Sequence, residues 1–464
     1  MELRGKRAVV IGFGKSGQAA TRLLLVKGAE VIVSDSKRKE ELPPSLVSSM
    51  EVLGVTFETG RHNPQTLEKA DLVVVSPGVS PQVYLQAVKK GIPVLGELEL
   101  AFRFLSPEER ENLIAITGTN GKTTTTAMIS ELLKLAGFRT FTGGNYGIPL
   151  SEYVLSKAKV DKIVLEVSSF QLETIESFTP KIGVLLNITP DHLDRYSSME
   201  EYAYYKYRLF HGQRESDLAI LPKSEPFLER FEALIGGKTL FFGEVGDEDI
   251  SAYVEGDSVV LRLEREEAYS LSSFRLLGLH NRLNLAAALL AGRLAGASPS
   301  ACERLISEFV GFPHRLEYVG TFGGVTFIND SKATNVDATV QALRGLPCPI
   351  ILILGGRHKG GSYAPLRELI KERVKTLILM GEARFIIWEE LKDLVETYLV
   401  EDLPEALSVA FKVSLPGDLV LLSPACASFD QFRDYQERGE VFKELVFKYA
   451  PKFYHSSKEE RLYH

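Results

Sequence analysis

Residues 116–124 read ITGTNGKTT. Gly121, Lys122 and Thr123 match the end of the phosphate-loop pattern G-x-x-x-x-G-K-[ST]. In that pattern backbone N–H groups cradle phosphates, the lysine neutralises them and the hydroxyl reaches Mg2+. Ile116 stands where the first glycine belongs, so the loop is a shorter version of the common one. Gly118 and Gly121 supply its bends, with Thr119, Asn120 and Thr124 around them. A second glycine turn, Gly12-Phe13-Gly14-Lys15-Ser16-Gly17, follows an apolar run, and Asp35 ends the next run. This is the dinucleotide fingerprint, whose glycines let backbone N–H groups reach a pyrophosphate at a helix N-terminus. It specifies a diphosphate more than it specifies NAD, and Asp35 could accept from sugar hydroxyls.

Other polar residues gather where strands should end. Glu166 closes KIVLE, and Asp191 and His192 lie in NITPDHLDRY. Lys206 sits among four tyrosines in EYAYYKYRLF, where periodicity alone gives an amphipathic helix with its lysine reaching for water. HNRLN (His280, Asn281, Asn284) starts a helical pattern and reads first as a cap. PHRLE holds His314, Arg315 and Glu317, which as an ion pair would suit a linker. NDSKATN places Asp330, Lys332, Thr334 and Asn335 in a loop. GGRHKGG is a basic loop suited to an anion, and SPACASFDQF is small and polar at a strand end. Singly, each is explained as an ordinary satisfied polar group; a phosphate loop and an acid within one α/β unit point instead to Mg-ATP chemistry.

The elements that must position these residues alternate. RAVVIG, AEVIVSD, VTFETG, DLVVVSPG and IPVLGE predict strands, with SGQAATRLLLVKG and PQVYLQAVKKG as helices between them. Such alternation predicts a parallel sheet covered on both faces. LSPEERENL leads into a second unit, with strands LIAI, KIVLEVSS and KIGVLLNITPDH, a hairpin region in DSVVLRLEREEAYSLSSF and a helix in NRLNLAAALLAGRLAG. After the Gly/Pro-marked GFPHRLE come strands VTFINDS, IILILGG, TLILMG and LVLLSPA, with helices APLRELIKERV and ARFIIWEELKD. The fold class is α/β in three domains: a Rossmann-like domain over 1–97, a P-loop ATPase-like domain with a mostly parallel sheet over 98–311, and a Rossmann-like domain over 312–464.

The totals agree. A chain of 464 residues is too long for one core, and 45% apolar content supports packed domains. A net charge of −7 argues against nucleic acid as a partner. No window approaches the roughly 20 apolar residues of a membrane span, so no membrane insertion is expected. Three cysteines, Cys302, Cys348 and Cys426, form neither a disulfide framework nor metal-ligand spacing, which points to the cytoplasm.

GTNGKTT, EVSSFQL, NITPDHLDRY, YKYR, HNRLN, PHRLE, NDSKATN and SPACASFDQF occur in the order found in the Mur ligases, and the resemblance spans nearly the whole chain. It is closest to the MurD type, which joins D-glutamate to UDP-N-acetylmuramoyl-L-alanine. The central motifs are shared with sister ligases and folylpolyglutamate synthetases. The N-terminal GFGKSG…SD unit, NDSKATN and SPACASFDQF favour the MurD type, and the Asp-Asn-Pro-Arg signature of the diaminopimelate ligase is missing.

The resemblance implies an ATP-dependent amide ligase working through an acyl phosphate in peptidoglycan precursor synthesis. It implies ATP on Gly118–Thr124, Asn281, Asn284, Arg315, Asp330 and Lys332. It implies two Mg2+ ions on Thr123, Glu166, His192 and a CO2-derived carbamate of Lys206. Lys122, Glu166, His192 and Lys206 are then the catalytic set. The UDP-sugar falls to Lys15, Ser16, Asp35, Ser36, Ser76, Gly78, Asn145 and His192, and D-glutamate to Thr334, Lys359, Ser428 and Phe429. Tyr435 stands where the enterobacterial type has Phe, and GKSG replaces a more apolar turn. Small-molecule substrates and a monomer are expected. A folylpolyglutamate synthetase or another Mur step, a dehydrogenase fused to an ATPase, and a non-catalytic UDP-sugar binder are the competing readings; a different amino acid, hydride transfer or bare binding would reveal them.

Overall fold

The computed structural model describes residues 1–192, 195–244 and 249–460. The chain packs as two compact units, residues 1–272 with 283–305, and residues 273–282 with 306–464.

The first unit holds two sheets. In the first, β1 (Arg7–Ile11), β2 (Glu30–Asp35), β3 (Thr56–Thr59), β4 (Leu72–Val75) and β5 (Val94–Gly96) run parallel in the order β3-β2-β1-β4-β5. Ala8, Val9, Val10 and Ile11 are all fully buried, because helices cover both faces and leave no polar side for alternation. The order reverses beside β1. The crevice that such a reversal opens lies at the carboxyl end of β1, where Gly12 begins the glycine turn.

The second sheet orders nine strands as β14-β13-β12-β11-β10-β9-β6-β8-β7. They are β6 (Leu113–Thr117), β7 (Thr140–Gly144), β8 (Lys162–Glu166), β9 (Ile182–Leu185), β10 (Leu218–Pro222), β11 (Lys238–Glu244), β12 (Ile250–Glu255), β13 (Ser258–Arg262) and β14 (Glu266–Ser270). Pairing is parallel from β7 through to β12 and antiparallel from β12 to β14. The expected hairpin is therefore β13–β14, appended to a parallel core. β6 lies between β8 and β9, so Thr117, Glu166 and Leu185 end side by side and the segments that follow them are neighbours. The division expected at residue 97 falls on the first residue of the helix Glu97–Phe102, all six of whose residues are buried. Glu99 accepts from the N–H groups of Glu176, Ser177 and Phe178, binding this helix to the second sheet's layer.

The second unit contains β15 (Glu317–Phe322), β16 (Val325–Asn329), β17 (Ile350–Gly355), β18 (Val374–Met380), β19 (Glu396–Leu399) and β20 (Leu419–Leu422), ordered β15-β16-β20-β17-β18-β19. Only β15 is antiparallel. β20 inserts between β16 and β17, so the loops leaving these three strands share one edge. Those loops are NDSKATN, SPACASFDQF and GGRHKGG. Sequence patterning places the apolar interior strands of this sheet and passes over its two edge strands, β15 and β19, which are short of buried residues.

Candidate active site

The short phosphate loop joins β6 to the helix Lys122–Leu135. Gly121 caps that helix in the left-handed region, with φ of 83°. A β-carbon there would also meet Asn284 Oδ1 at 2.5 Å, so glycine is required twice over. The Lys122 amine folds back over its own loop, donating to the carbonyl oxygens of Gly118 at 2.8 Å and Thr119 at 2.7 Å. The loop is braced from the segment after β9. Asn187 Oδ1 accepts the Asn120 N–H at 2.8 Å, and Asn187 Nδ2 donates back to the Asn120 carbonyl at 3.0 Å. Thr119 Oγ1 accepts from the Thr189 N–H and pairs with the Tyr202 hydroxyl at 3.2 Å.

Lys206 lies on the helix Met199–Tyr207 and is 1% exposed. Its amine donates to the Gly118 carbonyl at 2.8 Å and sits 4.5 Å from the centre of the Tyr202 ring. Burial, and next the charge of Lys122, hold its pKa well below the usual lysine range. The snorkelling lysine expected from periodicity is thus an interior one.

Glu166 ends β8 and is 2% exposed. Oε1 accepts from Asn145 Nδ2 at 2.7 Å, while Oε2 is buried without a hydrogen-bond partner. A buried carboxylate oxygen with open lone pairs fits a hard cation. Among the described residues no three His, Cys, Asp or Glu side chains group as metal ligands. Any such ion would depend on few protein oxygens completed by phosphate and water, as Mg2+ commonly does. His192 is exposed with φ of 53°, and its N–H bonds to Asp191 Oδ1. Its ring packs 4.7 Å from that of Phe170. Leu193 and Asp194 of the same motif lie outside the described residues.

At the first sheet, Gly17 approaches Gly12 so closely that a β-carbon would stand 1.9 Å from the Gly12 carbonyl oxygen. Ser76 Oγ donates to that same oxygen. Asp35 spends both oxygens on backbone, accepting from Phe13 N–H at 2.7 Å and Lys37 N–H at 2.9 Å. It therefore shapes the turn, and any sugar hydroxyl would have to share its remaining lone pairs. Lys15 and Ser36 are exposed and Ser16 is half-buried.

In the second unit, Asn281 Nδ2 donates to the Leu277 carbonyl. Asp330 accepts from the Leu316 N–H and the Ser423 hydroxyl, and burial pushes its pKa up to about 7. Arg315 is exposed between His314 and Leu316, both at positive φ. The Lys332 amine lies 5.9 Å from the centre of the Tyr435 ring. Lys359 and Thr334 meet, Nζ to Oγ1, at 3.4 Å. Ser428 is buried and Phe429 is 62% exposed.

Three family models match in order: the MurD-like N-terminal domain of Mur ligases over residues 6–96, the Mur ligase middle domain over 116–292, and the Mur ligase glutamate ligase domain over 314–426. The chain is 43% identical over 449 residues to the UDP-N-acetylmuramoylalanine–D-glutamate ligase of Geotalea uraniireducens, covering 96% of this chain and 98% of that one. It is 44% identical to the enzyme of the same name from Koribacter versatilis, covering 97% and 99%. The chain belongs to the Mur ligase family. Among solved structures, the MurF ligase of Thermotoga maritima in complex with ADP aligns with a TM-score of 0.56 at 18% identity, covering 96% of each chain. MurC from the same organism aligns with a TM-score of 0.52 at 20% identity, covering 96% and 99%. At such identities the likeness shows the shared fold.

Within this Mur ligase the structure brings Lys122, Lys206, Thr119 and Gly118 into one cluster, and Asn145 onto Glu166. It also shows supporting residues that sequence reasoning passed over. Asn187 and Tyr202 hold the phosphate loop, and Glu173 and Arg195 form a half-buried pair. Arg438 is wholly buried, donating to Ser331 Oγ, the Ser331 carbonyl and the Cys426 carbonyl, and so ties the 330–335 loop to the 423–429 loop. Asn187 stands within a quoted motif and Arg438 in the helix Tyr435–Glu460, but no spacing rule links either to its partner.

Proposed function

We propose that this chain is the ATP-dependent ligase that adds D-glutamate to UDP-N-acetylmuramoyl-L-alanine in peptidoglycan precursor synthesis, releasing ADP and phosphate. The near-full-length identity to enzymes of that name supports the reading. The structural observation that carries it is the pair of lysines on the Gly118 carbonyl, beside a buried carboxylate with an open oxygen.

An amide does not form from a carboxylate and an amine in water because the carboxylate is a poor electrophile. The L-alanine carboxylate oxygen instead attacks the γ-phosphorus of ATP, and the bond to the ADP oxygen breaks. The resulting acyl phosphate is attacked at carbon by the neutral amine of D-glutamate. The tetrahedral intermediate expels phosphate as the nitrogen loses its proton. The work is mainly positioning and neutralising anions. Lys122 turns from the loop carbonyls to the phosphates. Thr123, Glu166 and His192 would hold Mg2+, which supplies charge neutralisation when bound. Lys206, whose pKa its surroundings lower, would add as the neutral amine through nitrogen to the carbon of CO2 and release one proton, and the carbamate so formed would present oxygen where an ammonium cannot.

Asn281, Asn284, Arg315, Asp330 and Lys332 serve ATP in this reading. Lys15, Ser16, Asp35, Ser36, Ser76, Gly78 and Asn145 serve the UDP-sugar, and Thr334, Lys359, Ser428 and Phe429 serve D-glutamate. In this reading the chain has three domains, divided near residues 97 and 311. The enzyme works as a monomer in the cytoplasm and feeds cell-wall growth and division. The test is ATP-dependent phosphate release with UDP-N-acetylmuramoyl-L-alanine and, separately, D-glutamate, L-glutamate, L-alanine and meso-diaminopimelate. Release with D-glutamate alone, with a matching amide, is expected. Release with another amino acid moves the chain to a sister step, and none at all removes the ligase reading.

A further inference from the structure

One cation in the first unit serves no role assigned above. Arg195 lies between the two sheets' loops, its side chain 16% exposed, and grips Glu173, whose side chain is 8% exposed. Nε donates to Glu173 Oε1 at 2.8 Å and Nη2 to Oε2. Tyr196 adds its hydroxyl to Oε1 at 2.8 Å. The same guanidinium reaches the loop that leaves β4, where Nη2 donates to the Val79 carbonyl at 3.0 Å and Nη1 to the Gly78 carbonyl at 3.4 Å. Its flat face lies 5.1 Å from the centre of the Phe170 ring, the ring that also packs on His192. Ser76, Gly78, Glu97, Phe170, Glu173 and Arg195 line one pocket.

The geometry excludes a simpler role. A guanidinium has five N–H donors, and four are spent on protein oxygens. Its charge is matched by Glu173, so little remains to attract a diphosphate. Its two carbonyl contacts, however, fix a loop whose Gly78 sits at φ of 88° and whose Ser76 is tied to Gly12 of the glycine turn. Only a rigid fork can meet a carboxylate and two successive carbonyls together.

We propose that Arg195 is a positioning residue for the sugar nucleotide: it pins the 76–79 loop to Glu173, which caps the short helix Ser169–Leu172, so that the loop and the glycine turn are set before substrate arrives. This rests on the reading that the UDP-sugar lies on that turn. Pre-ordering of this kind lowers the cost of binding without touching the ligand.

The experiment measures the KM of the full-length enzyme for UDP-N-acetylmuramoyl-L-alanine and for ATP, in wild type, Arg195→Met, and Arg195→Met combined with Glu173→Gln. The double variant removes the buried carboxylate that the single one leaves unpaired. The sugar-nucleotide KM is expected to rise tenfold or more in both variants, with the ATP KM within twofold of wild type. Recovery in the double variant, or an equal rise in both constants, would show a merely structural ion pair and overturn the proposal. Calorimetric titration of wild type and Gly17→Ala with UDP separates the two failures: loss of UDP binding by Gly17→Ala supports the glycine-turn reading regardless of how Arg195→Met behaves, and its retention removes both.

Discussion

Lys122 and Lys206 donate to the same atom, the carbonyl oxygen of Gly118, each at 2.8 Å. Two amines closer than two hydrogen-bond lengths cannot both stay charged at low cost in a buried site. Lys122 has the loop mouth, and Lys206 is enclosed by the Tyr202 ring and the loop backbone. Burial, and next the Lys122 charge, hold the Lys206 pKa well below the usual lysine range. That direction favours the neutral amine that the proposed carbamate requires.

Lys206→Ala should lose at least a hundredfold in turnover, and acetate or formate in millimolar amounts should restore part of it by placing a carboxylate where the carbamate stood. Steady-state phosphate release with and without the acid makes the comparison. Unchanged turnover in the variant would remove the carbamate role.

Glu166→Gln keeps an acceptor for Asn145 and removes the charge beside the unpartnered oxygen. Turnover should fall by about two orders of magnitude, the scale seen when one electrostatic stabiliser is lost. The Mg2+ concentration for half-maximal rate should rise as well. A magnesium titration reads both, and an unshifted curve would place the ion elsewhere.

Much of this site could be read from sequence because strand ends and glycine turns are local. Gly12, Gly17, Gly118 and Gly121 announce their turns by spacing, and the apolar runs before them announce the strands. The braces are long-range. Asn120 and Asn187 are 67 residues apart, Thr119 and Tyr202 are 83 apart, and Gly118 and Lys206 are 88 apart. Which polar group meets which across such distances depends on strand order, and neither order nor register is written in periodicity. Asp35 shows the converse. Its position at the end of β2 suggested a ligand, and the fold gives its oxygens first to the backbone.

Glu97 gives a stability test with a definite sign. It is 2% exposed, Oε1 accepts from the Ser151 N–H, and Oε2 has no partner. Burial, with a smaller push from the Glu152 charge, raises its pKa to about 7 from 4.5. A raised acid favours the protonated fold, so its contribution is complete below about 4.5 and is lost as pH rises through 7, about 3 kcal/mol in all. Glu97→Gln mimics the protonated form. Thermal unfolding of the variant should match wild type near pH 4.5 and exceed it at pH 8; equal melting at pH 8 would count against a raised Glu97 pKa.

The two glycines flanking Lys15 and Ser16 should respond oppositely to one methyl group. A β-carbon at Gly14 meets nothing within 4 Å, and its φ of −69° is open to any residue. At Gly17 the same carbon would stand 1.9 Å from the Gly12 carbonyl oxygen, which is backbone and cannot swing aside. Relief requires the helix Lys15–Val26 to move off β1, carrying its first-turn N–H groups away from where a pyrophosphate would sit. Gly14→Ala should leave the turn and its helix in place, so that any loss of UDP binding there reports crowding of the ligand itself. Gly17→Ala should lose sugar-nucleotide binding while ATP still binds on the second sheet's loop. Calorimetric titration with UDP and with ATP checks both, and equal tolerance at the two glycines would mean that the turn does not serve the diphosphate.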